Sequence, residues 1–102
     1  MIYNKAIRDN IPEIIKESGN TCNVKKLSDS EFLVELEKKL GEETKEYFQS
    51  KSVEELADIL EVIHRISKLK GTSTEKLEEI RKEKAQKRGG FEKNLFLVDT
   101  ED

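Results

Sequence analysis

The apolar residues of this chain recur in helical register. Between residues 29 and 48, Phe32, Leu33, Leu36, Leu40 and Tyr47 share one side of a helix; between 53 and 70, Leu56, Ile59, Val62, Ile63 and Ile66 do the same. Ser28 and Asp29 offer an N-cap, with Glu31 close behind, to a helix running to about Phe48. Ser50-Lys51-Ser52 interrupts it. Ser52 followed by Glu55 has the S-x-x-E form of a capping box, opening a helix expected from about Val53 to Lys70 and stopped by Gly71. Ser73 or Thr74 caps a third long helix over 75–88, closed by Gly89-Gly90. Upstream, NIPEIIKES (10–18) reads as a short helix with Pro12 in its first turn and Gly19 past its end. Two stretches fall outside this pattern. TCNVKKL (21–27) reads as a short extended segment, and Leu95–Val98 as a strand or a docked extended segment. There is no internal repeat and no linker, so the expectation is one domain over 1–102. Its predicted class is all-α, an antiparallel helical bundle with short extended segments near 21–27 and 95–98.

Composition narrows the function classes. Charged residues make up 40% and aromatics 6% of 102 residues, a mix that suits helices with heavily charged surfaces. A net charge of −3, with basic residues not interleaved with aromatics, argues against a nucleic-acid partner. No apolar run approaches the ~20 residues of a membrane span, and the opening MIYNK lacks the apolar core of a signal peptide. Cys22 is the single cysteine, which suits a reducing compartment, and a cytoplasmic location is expected. His64, the only histidine, lies inside a helix without partners for Cys–His chemistry, and the lack of a Cys/His set argues against zinc.

The acids are where the pattern becomes chemical. With Glu43 at zero and about 100° per residue, Leu36 lies at about 20°, Tyr47 at 40°, Leu40 at 60° and Phe32 at 340°. Glu43 is thus inside the apolar arc, Glu46 on its edge at about 300°, and Glu42 outside at about 260°. On the next helix, with Glu55 at zero, Ile66 lies at about 20°, Ile59 at 40° and Val62 at 340°. Glu55 is inside the arc, Asp58 on its edge at about 300°, and Glu54 and Glu61 outside. If these faces meet, four carboxylates converge. Such a cluster needs protons, basic partners or cations, and hard oxygen donors suit Mg²⁺ or Mn²⁺. The third helix turns basic toward its C-terminus. With Leu77 at zero, Lys84 lies at about 340° and Arg88 at about 20°, just before the glycine pair. Cations placed there can hold phosphate oxygens, and Lys5 and Arg8 near the N-terminus give a weaker version of the same signal.

Glu43-Thr-Lys-Glu46 followed by Glu55-Leu-Ala-Asp58 resembles the ExxE…ExxD signature of the MazG-like all-α nucleoside triphosphate pyrophosphohydrolases. Phosphoribosyl-ATP pyrophosphatase and the dimeric dUTPases belong to the same superfamily. The opening YNKAIRDNIPEIIKESG looks like the YNKLVRDKIPEII start of a small subfamily, and ELADILEVI and RKEKAQKRGGFEK are similar to its middle and end. Asn10 departs from that pattern, standing where the subfamily usually has lysine. The resemblance implies a MazG-type bundle and Mg²⁺-dependent cleavage of a nucleoside triphosphate between its α- and β-phosphates, giving monophosphate and pyrophosphate. It implies Glu43, Glu46, Glu55 and Asp58 as metal ligands and a homodimer or homotetramer. Glu46 or Glu42 is then the candidate general base, and Lys5, Arg8, Lys84, Lys87 and Arg88 the candidate phosphate contacts. Phosphoribosyl-ATP hydrolysis and a non-catalytic helical interaction module are the alternatives.

Overall fold

A computed structural model describes residues 1–101. Among them are four α-helices: α1 (Ile11–Glu17), α2 (Asp29–Ser50), α3 (Val53–Leu69) and α4 (Thr74–Arg88), with no strand. The expected all-α class holds. The expected extended segments do not become strands: residues 21–27 and Leu95–Val98 lie outside regular structure, where no neighbouring strand offers a ladder to join.

The helix ends follow from local chemistry. Ser28 accepts from the Glu31 amide while the Glu31 side chain accepts from the Ser28 amide, a complete capping box for α2. At the other end Lys51 adopts a left-handed φ of 60° and its amide bonds Tyr47 O at 2.7 Å, reversing the chain within two residues. α3 closes with Gly71 at φ 85°. Thr72 N–H reaches Ser67 O and Gly71 N–H reaches Lys68 O, while the buried Ser67 hydroxyl donates to Thr72 O at 2.8 Å.

α2 and α3 pack along their length as an antiparallel hairpin. Ala6, Leu36 and Val62 are buried there, with Phe32, Leu40, Ile66 and Leu69 against them. Ala6 comes from the N-terminal segment, which crosses the hairpin and so carries Lys5 and Arg8 to its surface. The rest is looser than the expected bundle. α4 touches α3 only briefly, and α1 packs on no other helix. The radius of gyration is 18.1 Å, against roughly 13 Å for a compact chain of this length. The extents are 61 × 32 × 24 Å, an elongated body around a small core.

Candidate metal centre

Helical phase puts the acids where the hairpin closes. On α2, Glu43 follows Leu36 and Leu40 on the packed face and is 8% exposed. On α3, Glu55 occupies the equivalent place one turn after the Ser52 cap. The Ser52 hydroxyl accepts from the Glu55 amide at 3.4 Å, but the reciprocal half of the box is missing. The Ser52 amide donates to Ser50 Oγ instead, and the Glu55 carboxyl turns into the helix interface. Glu42, Glu43 and Glu46 bring carboxylate oxygens within 4.8 Å of one another, and so do Glu43, Glu55 and Asp58. Glu43 belongs to both groups and joins the two helices. The five acids form one cluster.

Its electrostatics follow from crowding and desolvation. Burial pushes the Glu43 carboxyl above its ordinary 4.5, helped by adjacent Glu46 and by Asp58, with Lys39 opposing. Glu55 is raised as well, by burial first and then by the charges of Asp58 and Glu43. One oxygen, Glu55 Oε2, is enclosed without a hydrogen-bond partner. An all-carboxylate donor set with one enclosed, unpartnered oxygen could hold a hard divalent cation such as Mg²⁺ or Mn²⁺.

Cations ring the cluster without filling it. Arg8 Nη2 donates to Asp58 Oδ1 at 2.7 Å, Lys5 Nζ donates to Glu42 Oε1 at 3.2 Å, and Lys39 Nζ lies 3.6 Å from Glu43 Oε1. Beside it opens a cleft of about 230 Å³ that Glu43, Asp58, Arg8, Lys39 and Arg65 border, floored by Leu36 and Val62. Of the expected phosphate contacts, Lys5 and Arg8 are therefore brought to the acids. Lys84, Lys87 and Arg88 are not: they are exposed on α4, border no described cleft and make no ion pair among the described residues. The weaker sequence signal is the one the fold uses, because Ala6 anchors its segment and little anchors α4. Asn10, the departure from the subfamily pattern, sits at the N-cap of α1 with no side-chain cap bond. Lys39 and Arg65 were missed from sequence. Lys39 was detectable, since it lies one turn before Glu43, at about 320° on the same arc. Arg65 carried no such signal.

The raised carboxyls make a pH prediction. Below the ordinary 4.5 both Glu43 and the unfolded chain are protonated, so burial of this group costs nothing. As pH rises, the unfolded chain releases its proton first and the folded state holds it longer, so this group's contribution to stability falls. In EDTA, Glu43→Gln should match the unmodified chain in melting temperature near pH 4 and exceed it near pH 7. Equal melting temperatures at both values would mean that Glu43 carries no such penalty.

No family model, curated protein or solved structure matches this chain.

Proposed function

We propose that the chain is a Mg²⁺-dependent nucleoside triphosphate pyrophosphohydrolase, cleaving between the α- and β-phosphates to give a monophosphate and pyrophosphate. The observation that carries it is the convergence of acids from two helices on Glu43, which groups with Glu42 and Glu46 on one side and with Glu55 and Asp58 on the other, Glu55 Oε2 being enclosed without a partner. Glu43 is buried in the helix interface beside the hydrophobic core, with Glu42, Glu55 and Asp58 partly buried around it and Glu46 at the edge.

Glu43, Glu46, Glu55 and Asp58 would hold the ion, which supplies charge neutralisation of the triphosphate and acidifies water. The residues of the chain do the rest. Glu46 or Glu42 accepts the proton of the water that attacks the α-phosphorus. The bond from phosphorus to the α–β bridging oxygen breaks, and pyrophosphate leaves with the electron pair. Arg8, Lys5 and Lys39 are placed to exchange their carboxylate partners for phosphate oxygens, stabilising charge on the leaving pyrophosphate. Lys84, Lys87 and Arg88 join them only if α4 is brought closer in a homodimer or homotetramer, which we propose as the assembled form.

The test is a panel of ribo- and deoxynucleoside triphosphates, with phosphoribosyl-ATP, incubated with Mg²⁺ or with EDTA and read by phosphorus products. Metal-dependent monophosphate plus pyrophosphate is expected. Orthophosphate plus diphosphate would overturn the α–β cleavage, and a rate confined to phosphoribosyl-ATP would assign the histidine-pathway reaction. The rival interaction module draws on the exposed apolar surface of α3 and of residues 91–98. It expects no product, and no rise in melting temperature with Mg²⁺, which an ion bound only to the folded state must produce.

A further inference from the structure

Apart from the acid cluster, the molecule carries a pair of apolar surfaces that no described residue covers. Leu95, Phe96, Leu97 and Val98 follow one another after α4, each between 78% and 88% exposed, and Phe91 is 98% exposed. On α3, Val53, Leu56 and Leu60 form a second stripe displaced from the face that packs on α2, and all three are exposed. We propose that residues 91–98 are a strap that docks on a second copy of this chain, laying Leu95–Val98 over the Val53–Leu56–Leu60 stripe of that copy's α3. Docking of this kind specifies the homo-oligomer proposed above and is independent of the hydrolase reading.

Three observations select a second copy as the occupant. The first is area. The chain exposes 9398 Å², whereas a compact monomer of its mass exposes roughly 5,900 Å². The excess, about 3,500 Å² per chain or about 7,000 Å² for a pair, is more than enough to supply the total of about 2,000–5,000 Å² that obligate homodimers bury. The second is the core. With Ala6, Leu36 and Val62 as the buried apolar residues, the partner must be present whenever the chain folds, and another copy always is. The third is stoichiometry: each chain carries one strap and one stripe, so a two-fold pair satisfies both twice and closes.

Geometry favours exchange over folding back. α4 meets α3 only briefly, and the strap is not laid on its own stripe, since the residues of both stay exposed. Beyond Gly89 the chain turns at residues 91–93 and Asn94 takes a left-handed φ of 55°, so the apolar run starts after a turn rather than as a continuation of α4. Successive side chains of an extended run point to opposite sides. Docked in extended form, Leu95 and Leu97 would face one way and Phe96 and Val98 the other, the pattern of a segment held between two subunits.

The test uses the full chain. Size-exclusion chromatography with light scattering, across a concentration range, should show a dimer or larger, and a chain ending at Gly90 should dissociate at concentrations about tenfold higher or more. In a Cys22→Ser background, oxidation of the pairs Leu60→Cys with Phe96→Cys and Leu56→Cys with Phe96→Cys should give a covalent dimer from at least one pair, and none from the single variants. Disulfide trapping also decides the matter if the shortened chain loses its helical circular dichroism. The proposal is overturned by a monomer at every concentration, or by a shortened chain that keeps its helicity and associates within about threefold of the full one. It is equally overturned by an intrachain disulfide at monomer mobility or by no disulfide from either pair.

Discussion

Glu55→Gln is expected to abolish Mg²⁺-dependent hydrolysis while raising the melting temperature measured in EDTA. Both effects come from the same oxygen. Glu55 Oε2 is enclosed and lacks a hydrogen-bond partner, and its carboxyl is held above the ordinary range by burial, Asp58 and Glu43. Glutamine keeps the shape, removes the charge and relieves the repulsion within the cluster, so the metal-free fold gains. It also removes one anionic ligand from the proposed metal set, which should lower kcat by about 10²–10³-fold or more. Opposite signs are the useful feature. A variant that lost both activity and stability would be explained by damage to the helix interface alone, and one that kept turnover would remove Glu55 from the metal site. The contrast should shrink in Mg²⁺, where the unmodified chain gains stability that the variant cannot.

Leu36→Ala should be the most destabilising single core substitution. Leu36 is 5% exposed at the centre of the hairpin, against Ala6 and Val62, with Phe32, Leu40, Ile66 and Leu69 around it. Truncating a buried leucine costs about 2–5 kcal/mol, because the cavity adds to the lost transfer energy. A domain of this size holds a total of about 5–15 kcal/mol, and this one has few other buried apolar groups to share the loss. The melting temperature should fall by roughly 10–20 °C when both chains are compared at one concentration. Val24→Ala, at an exposed loop position, is the control and should change it little. A small effect at Leu36 would show that the hairpin core is not the stabilising centre, and that contacts with another copy hold the fold instead.

The same residues show what each level of description supplies. Helix positions came from local signals: capping serines at 28, 52 and 73, the Ser-Lys-Ser break, and Gly71 and Gly89 past helix ends. The inward phase of Glu43 and Glu55 was also legible, since a 3.6-residue period ties each acid to the apolar residues on its own helix. That is why the carboxylate cluster could be expected before any packing was known. The Ser52–Glu55 box was half wrong for a tertiary reason. Its spacing is right, but the Glu55 side chain is drawn into the acid cluster and leaves the Ser52 amide to Ser50.

Long-range placement was not legible. Lys84 and Arg88 fall on the apolar side of their helix by phase, yet α4 barely meets α3 and neither pairs with the acids. Lys5 and Arg8 lie in a segment without periodicity, yet Ala6 is small enough to bury against Leu36 and Val62, and that contact delivers both cations to Glu42 and Asp58. The apolar run at 95–98 announced that something must cover it, without saying what. By itself, then, the sequence determined which residues are helical and which acids face inward, because both depend on neighbours within a turn or two. Only the tertiary structure decided which charges meet and which apolar surfaces stay open, because those depend on residues tens of positions apart finding complementary shapes.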